Sequence, residues 1–150
     1  MTVTVQDASV KCLERLYEIE KECFVEEAFT RKQIAVLLTD YNSISLTARE
    51  NGEIVGFIIG MIYPDEKAVN GHILTIDVSL SHRRRGIGQM LLQEMESIFT
   101  QKGVQACLLE VREGNVAAIG LYHKLGYEEI GRLENYYGNA HGIYLKKILA

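Results

Sequence analysis

The hydrophobic pattern of this 150-residue chain predicts an α/β fold with a mixed central β-sheet flanked by helices. Strand-like and helix-like runs alternate from His72 onward, which implies parallel crossover connections in the second half of the chain. An Asn51-Gly52 pair between two strand-like runs indicates an antiparallel hairpin in the first half, because both central residues of that turn need positive φ. The combined pattern gives the order βααβββαβαββ, with about seven strands and four helices.

Each element follows from a local signal. Asp7 and Ser9 offer caps for a helix over 8–22, and Thr30 offers the cap of a second helix. Lys102-Gly103 indicates the end of the third helix, near Gln101, since glycine readily takes the left-handed conformation. The remaining predictions are strands over 2–6, 43–50, 53–63, 72–80, 105–112, 126–132 and 142–148, a loop over 64–71 and a helix over 115–125.

The composition predicts one globular domain over residues 1–150 and argues against several classes of function. The apolar fraction is 47% and the net charge is −4, which argues against nucleic-acid binding because such binding depends on phosphate neutralisation. No apolar run approaches the ~18 residues that cross a membrane, and the first residues lack a signal-peptide pattern. Cys12, Cys23 and Cys107 are predicted to be free thiols in a reducing cytoplasm, and no metal-ligand spacing is present.

A basic, glycine-containing loop joins a predicted buried strand to a helix. The start of a helix leaves about four backbone N–H groups without partners and carries partial positive charge. Gly86 and Gly88 lack Cβ atoms, so a diphosphate can approach those amides closely. The alternative is a tight turn whose arginines only provide solubility. Neither the nucleoside-triphosphate P-loop motif nor GxGxxG is present. The candidate anion-binding residues are Arg83, Arg84, Arg85, Gly86, Ile87, Gly88 and Gln89.

Glu110 places an acid in an otherwise apolar strand. A carboxylate there costs free energy unless it has a partner or a chemical task. One interpretation is a salt bridge, to Arg112 or another neighbour; the other is a general base at the end of the strand. Asn115 can be interpreted as the N-cap of the next helix. Tyr122 lies two turns later on the same helical face and can be interpreted as a core aromatic residue.

Two motifs resemble those of the GNAT acetyltransferases. Arg83-x-x-Gly86-x-Gly88 after a strand is similar to the loop that holds the pyrophosphate of acetyl-CoA in that family, and residues 109–127 resemble the pattern LEVRxxNxxAIxLYxxLGF. The resemblance implies the GNAT fold over the whole chain, with acetyl-CoA as cosubstrate. It also implies that Asn115 contacts the cofactor, that Tyr122 lies beside its sulfur, and that the pantetheine arm pairs with the backbone around Ile76, Asp77 and Val78.

Asn135-Tyr136-Tyr137, with Tyr144 on the return strand, resembles the N-terminal (N-alpha) acetyltransferases, including the ribosomal-protein-alanine and archaeal types. In that branch a tyrosine pair binds the substrate backbone; the alternative is an aromatic pair that packs on the sheet. Residues 24–29 lie where relatives carry a Leu-Pro-Glu-Asn-Tyr-like loop, although the proline and asparagine are absent here. The substrate contacts that the resemblance implies are Val25, Glu27, Phe29, His72, Tyr136 and Tyr137.

The resemblance implies direct acetyl transfer to the α-amine of a protein N-terminus. Such an amine has a pKa of about 7.7–8.0, against about 10.4 for lysine, so a water-mediated glutamate is a sufficient base. Glu110 is then the general base and Tyr122 the general acid. His72 and Asp77 are further candidates for the base, although Asp77 alternatively pairs with an arginine.

Other functions and assemblies stay open at this point. Acetylation of lysine or of a small amine is one alternative, and a non-catalytic acyl-CoA-binding module is another. The predicted partners are protein or peptide N-termini rather than nucleic acid or membrane. Some relatives work with an auxiliary subunit, and the sequence distinguishes neither that arrangement nor a homodimer from a single chain.

Overall fold

The computed structural model describes residues 2–65, 67–138 and 140–149. The strands and helices follow the predicted order βααβββαβαββ. Their bounds are β1 Val3–Asp7, α1 Leu13–Cys23, α2 Arg31–Thr39, β2 Ser43–Glu50, β3 Glu53–Pro64, β4 Val69–Val78, α3 Ile87–Gln101, β5 Ala106–Arg112, α4 Val116–Lys124, β6 Glu128–Leu133 and β7 Gly142–Ile148. Single turns of 3₁₀ helix at Val10–Cys12 and Leu80–His82 precede α1 and α3.

Within the described residues, the strands form a seven-stranded mixed sheet in the order β1-β2-β3-β4-β5-β7-β6. β2 pairs antiparallel with both β1 and β3, whereas β4 and β5 pair parallel. β7 lies between β5 and β6 and runs antiparallel to both, so α4 connects two strands that are parallel without being adjacent. The predicted α/β class, the early antiparallel hairpin and the later parallel crossovers are confirmed.

The connection between β3 and β4 is shorter than predicted. β3 continues through Pro64 and β4 already begins at Val69, so the prediction of a loop over 64–71 is wrong at both ends. The Asp65 amide donates to the Ala68 carbonyl oxygen at 3.0 Å, which closes the tight connection. Proline suggested a loop because it lacks a backbone donor, yet the end of a strand tolerates that lack.

The chain divides into two compact units. The first consists of the described residues up to Met61 together with Leu74–Ile98, and the second of Ile62–Ile73 together with the described residues from Phe99 onward. β3, β4 and α3 each contribute residues to both units. A single domain over residues 1–150 therefore stays a prediction.

The first unit has an apolar core to which α1, α2 and β3 contribute. Thr30 begins α2 as predicted, with a capping box: its Oγ1 accepts from the Gln33 amide at 3.1 Å, and the Gln33 side chain accepts from the Thr30 amide at 2.8 Å. Loss of such a cap typically costs ~1 kcal/mol. The buried members of the core are Cys12, Leu16, Ile19, Ile34, Phe57 and Ile59.

The second unit packs the Phe99 ring against the backbone of β4. A Cβ atom built at Gly71 would lie 2.4 Å from that ring, so glycine is the residue that allows this approach. β5 shows the predicted alternation, because Leu108 and Glu110 are partly exposed. The intervening residues Cys107, Leu109 and Val111 are buried.

All three cysteines are free thiols, as predicted. Cys12 and Cys107 are buried, whereas Cys23 at the end of α1 is partly exposed. In the part of the chain that the structure describes, no helix combines the length and the apolar character needed to cross a lipid bilayer.

Candidate functional site

The loop between β4 and α3 presents backbone at the start of a 15-residue helix. The Met90 amide donates to the Gly86 carbonyl oxygen at 3.0 Å, so the first turn of α3 closes directly after the loop. Gly86 has φ +78°, and a Cβ atom there would meet nothing within 4 Å. A Cβ atom on Gly88 would meet only Val78 Cγ2, at 3.8 Å. Since packing requires glycine at neither position, both remain available for close approach of an anion.

The three loop arginines have different environments. Arg83 donates from Nε to the Val78 carbonyl oxygen at 3.2 Å and from Nη2 to Cys23 Sγ at 3.3 Å. Arg84 has φ +63° and is exposed, and it makes no ion pair within the described residues. The Arg85 guanidinium instead forms an ion pair with Glu50, a buried residue. Its charge is therefore offset within the protein, which the sequence pattern did not reveal.

The Glu50–Arg85 pair stabilises the charged form of both groups. The hydrogen bond from Arg85 lowers the pKa of Glu50 despite the opposing effect of burial, and Glu50 in turn raises the pKa of Arg85. His82 Nε2 also lies 3.8 Å from Glu50 Oε1. The pair therefore anchors the base of the loop. Arg83 and Arg85 are exposed as well, but each contacts another residue, whereas Arg84 forms no ion pair within the described residues.

In the second unit, Glu110 lies in a cluster of hydrogen-bonding side chains. Its Oε2 is 2.5 Å from His72 Nε2, and its Oε1 accepts from the Tyr136 hydroxyl at 3.2 Å. The His72 side chain is 23% exposed and the Glu110 side chain 14% exposed, so water reaches both. Of the partners considered for a salt bridge, Arg112 or another neighbour, the structure pairs Glu110 with a neighbour, His72 on β4.

Strand register explains how these residues meet. His72 on β4 lies opposite Leu108 on β5, two residues before Glu110 and on the same strand face. Tyr144 on β7 is the direct antiparallel partner of Glu110. Tyr136 comes from the segment before β7, and its ring lies 4.9 Å from that of Tyr137 in an edge-to-face arrangement.

The negative charge of Glu110 acts on both neighbouring phenols. Burial, followed by the charge and hydrogen bond of Glu110, raises the pKa of Tyr136. Burial and the same charge raise the pKa of Tyr144. Both tyrosines therefore keep their hydroxyl protons near neutral pH and act as donors. The arrangement offers a partly exposed carboxylate with donors around it, which suits proton transfer through a water molecule.

Asn115 and Tyr122 both have structural roles in the second unit. Asn115 caps α4, because its Oδ1 accepts from the Ala118 amide at 3.2 Å. Tyr122 is buried and lies edge-on to Tyr127, with the ring centroids 5.9 Å apart. The N-cap and core-aromatic interpretations are thus confirmed. Contact of Asn115 with the cofactor and proton donation by Tyr122 stay predictions.

Asp77 occupies a different environment from Glu110. It is 1% exposed, and its Oδ1 accepts from the Thr75 hydroxyl at 2.5 Å. The same hydroxyl is 3.0 Å from Glu20 Oε1 on α1. The predicted arginine partner is present only as a nearby charge from Arg83. Along β4, Ile76 and Val78 alternate with Asp77 and are partly exposed.

The segment between α1 and α2 is attached to Glu20. The Phe29 amide donates to Glu20 Oε2 at 2.9 Å, and the Phe29 side chain packs against the core of the first unit. Val25 is 91% exposed, and Glu27 is partly buried. Sequence reasoning missed Glu20 as a functional candidate. The signal in the sequence was that Glu20 lies one helical turn after Leu16, on the apolar face of α1.

The family of the chain follows from comparison with known sequences. The sequence profile of the Acetyltransferase (GNAT) family matches residues 13–127. The chain belongs to the GNAT family. It is 35% identical over 117 residues to an N-alpha-acetyltransferase of Sulfurisphaera tokodaii, a match that covers 72% of this chain and 70% of that relative. The resemblance to the N-alpha branch that the motifs implied is therefore supported.

Further comparisons agree with this GNAT assignment. The chain is 34% identical over 102 residues to the ribosomal-protein-alanine N-acetyltransferase of Escherichia coli, which covers 68% of this chain and 65% of that relative. The structure of Ard1 from Thermoplasma volcanium matches with a TM-score of 0.91 and 27% identity, over 100% of this chain and 99% of the other. The predicted GNAT fold is confirmed, and the GNAT assignment makes the protein an acyltransferase.

Proposed function

We propose that the protein transfers the acetyl group of acetyl-CoA to the free α-amine of protein or peptide N-termini. The observation that carries this proposal is the Glu110 cluster, in which His72 Nε2 at 2.5 Å and the Tyr136 hydroxyl at 3.2 Å contact the two carboxylate oxygens. It combines a water-accessible base with a tyrosine that the N-alpha resemblance assigns to the substrate backbone. The similarity to N-alpha-acetyltransferases supports the same substrate class.

The proposed chemistry is a direct transfer. Acetyl-CoA supplies an acetyl group as a thioester; a C–N bond forms to the amine as the C–S bond breaks. Glu110 accepts the amine proton through a water molecule, and His72 holds the carboxylate and can pass the proton to solvent. Tyr122 gives its proton to the departing thiolate. The products are an acetylated N-terminus and free coenzyme A thiol.

Glu110 is a better candidate for the base than Asp77. A general base must lie within hydrogen-bond reach of the proton that it accepts, directly or through one water molecule. Glu110 is 14% exposed, whereas Asp77 is 1% exposed and contacts Thr75. An α-amine has a pKa near 7.7–8.0, so roughly a tenth or more of it is unprotonated at neutral pH, and a weak base is enough.

Most of the cofactor contacts in this proposal come from β4 and from the loop between β4 and α3. Backbone amides at the start of α3, in the segment from Gly86 to Gln89, bind the diphosphate, and Arg84 adds charge from solvent. Arg83 contributes beside the end of β4, while Arg85 acts through its pair with Glu50. The backbone of Ile76 and Val78 takes the pantetheine arm, and Asn115 adds a contact from α4.

The substrate contacts are the tyrosine pair and the α1–α2 segment. Tyr136 and Tyr137 bind the peptide backbone, and Val25, Glu27 and Phe29 line the pocket for the first side chain. The free cysteines are compatible with action in the reducing cytoplasm.

Matched peptides test the substrate class. Two peptides share one sequence with an internal lysine, and one of them has a blocked N-terminus. We expect mass spectrometry to find acetyl on the α-amine of the free peptide and none on the blocked one. Equal acetylation of both peptides would identify a lysine acetyltransferase. Absence of transfer, with acetyl-CoA binding detected by calorimetry, would identify a silent acyl-CoA-binding module.

A further inference from the structure

Asp77 and Glu20 form a buried pair of carboxyl groups that the proposed reaction does not use. Each residue is 1% exposed, and they come from β4 and α1. Thr75 lies between them, with its Oγ1 2.5 Å from Asp77 Oδ1 and 3.0 Å from Glu20 Oε1. A hydroxyl group has one proton to donate, so it satisfies one of these two oxygens. The second contact needs a proton from a carboxyl group.

The other two oxygens of the pair indicate which carboxyl group is protonated. Glu20 Oε2 already accepts from the Phe29 amide at 2.9 Å. Asp77 Oδ2 is buried and receives no N–H or O–H donor from the described residues. A protonated Asp77 can donate to Thr75 or to the Glu20 carboxylate, which turns a contact between two acceptors into a hydrogen bond. Glu20 then keeps its negative charge and both acceptor oxygens.

The charges around the pair agree with this assignment. Burial is the largest influence that raises the pKa of Asp77, and the hydrogen bond and charge of Glu20 raise it further. The Thr75 hydroxyl and the charge of Arg83 oppose that rise only in part. Cys23, on the last turn of α1, also lies beside the pair, and burial is the largest influence that raises the pKa of its thiol to about 11.

We propose that Asp77 and Glu20 share one proton at neutral pH, and that this proton fixes the segment between α1 and α2 beside β4. Glu20 holds both ends of that segment, because its backbone carbonyl accepts from the Phe24 amide at 2.9 Å and its carboxylate accepts from the Phe29 amide. Both acids are positioning residues. The consequence for substrate binding rests on the proposed function; the shared proton does not.

The pH dependence of unfolding tests the shared proton. The folded-state pKa of Asp77 is raised above its unfolded value of about 3.9, so its stabilising contribution is complete below that value and is lost as the pH rises towards the folded-state pKa. Asparagine imitates the protonated acid but does not titrate, so its contribution to stability does not decline as the pH rises. We expect the unfolding constant of Asp77→Asn, relative to wild type, to fall about tenfold per pH unit above about pH 5.

Urea unfolding at a series of pH values measures that ratio. Asp65→Asn is the control, because it removes one negative charge from an exposed residue of the β3–β4 connection. A ratio for Asp77→Asn that does not change with pH would overturn the shared proton.

Hydrogen exchange at the Phe29 amide tests the positioning role without substrate. Glu20→Gln keeps the size of the side chain but has one carbonyl oxygen, so Phe29 or Thr75 loses its acceptor. We expect about tenfold faster exchange in Glu20→Gln and unchanged exchange in Asp77→Asn. If Glu20→Gln does not fold, wild type still provides the test: protection of the Phe29 amide should decline as the pH rises, and Asp77→Asn should retain it. The same pH dependence of Phe29 protection in wild type and Asp77→Asn would refute the link between the shared proton and the position of the segment.

Steady-state kinetics then measure the consequence for the proposed reaction. Glu20→Gln should raise the peptide KM about tenfold and change the KM for acetyl-CoA less than about twofold, since ~1.4 kcal/mol of peptide binding is lost. A protein that acetylates no peptide refutes the proposed function, whereas the unfolding and exchange experiments still decide the shared proton. An unchanged peptide KM beside faster Phe29 exchange would refute the role of the segment in binding.

Discussion

Asp77 and Glu110 are both acids on apolar strands, yet their surroundings give them opposite chemistry. Asp77 is 1% exposed and faces a second carboxyl group, that of Glu20, across one hydroxyl. Glu110 is 14% exposed and faces His72 and Tyr136. Burial beside another acid favours the protonated form of Asp77, whereas the partial exposure of Glu110 lets water reach its carboxyl group. We therefore propose that the first acid positions backbone and that the second accepts a proton.

Among the substitutions that distinguish the surroundings of Glu110 from those of Asp77, Glu110→Gln is expected to have the largest effect on kcat. Glutamine keeps the shape of the side chain and cannot take the amine proton, so kcat should fall about 100-fold, equivalent to ~2.7 kcal/mol. The defect should narrow above about pH 9, because the α-amine loses its proton unaided there. Rates measured from about pH 6 to 10 check both statements. Glu113→Gln, at an exposed glutamate paired with Arg132 at 3.2 Å, is the matched control. A defect that is equal in the two variants would remove Glu110 from the mechanism.

A substitution in β4 perturbs the second unit beside His72. Gly71→Ala places a Cβ atom 2.4 Å from the Phe99 ring, and the resulting overpacking should lower the free energy of unfolding by ~1–3 kcal/mol. Gly120→Ala in α4 is the control, since a Cβ atom there meets nothing within 4 Å, and it should gain ~0.5–1 kcal/mol. Urea unfolding measures both. Equal stability of Gly71→Ala and wild type would show that the backbone of β4 is not held as described.

Tyr136→Phe tests whether the phenol beside Glu110 contributes to peptide turnover. The substitution removes the hydroxyl that donates to Glu110 Oε1 at 3.2 Å and keeps the ring packing against Tyr137. We expect kcat/KM for peptide to fall about fivefold, or ~1 kcal/mol, the usual net value of one hydrogen bond. Thermal unfolding of the variant separates this effect from a loss of fold. A variant with full kcat/KM would assign the tyrosine pair to packing alone.

The smallest effects are expected in the loop between β4 and α3. Arg84→Ala should raise the KM for acetyl-CoA about threefold and leave the melting temperature unchanged, because this arginine is exposed. Arg85→Ala should instead lower the melting temperature, since it leaves Glu50 without its partner. That loss should shrink as the pH falls, because the pKa of Glu50 is lowered in the folded state and its stabilisation disappears on protonation. Calorimetric melting and cofactor titration distinguish the two. If the two variants had the same melting temperatures and the same affinities for acetyl-CoA, the different roles of these arginines would be contradicted.

Most of the fold could be predicted because its signals are local. Thr30 and Gln33 form a capping box, and Asn51 and Gly52 adopt φ 53° and 80°, as their turn requires. The β3–β4 connection was the main error, since Pro64 can end a strand as well as begin a loop. The motif around Glu110 identified the acid, but its partner is a histidine 38 positions away in sequence. That pairing depends on strand register rather than on local spacing.

The parts of the site that escaped prediction all involve pairing between distant residues. Arg85 belongs to a run of three arginines, and nothing in that run shows that Glu50 offsets its charge. Asp77 was recognised as an unusual acid, yet its partners Glu20 and Thr75 become evident only when α1 packs beside β4. The period of a helix or strand indicates which face a residue occupies, not which ionisable group it meets there.

Single-turnover acetyl transfer to one free-amine peptide, measured side by side for Glu110→Gln and Asp77→Asn, tests the contrast between the two acids most directly. With enzyme and acetyl-CoA in excess, Asp77→Asn should transfer acetyl within about twofold of the wild-type rate, while Glu110→Gln should be slowed about 100-fold. A slow Asp77→Asn beside a fast Glu110→Gln would reverse the two roles and contradict the assignment of Glu110 as the general base.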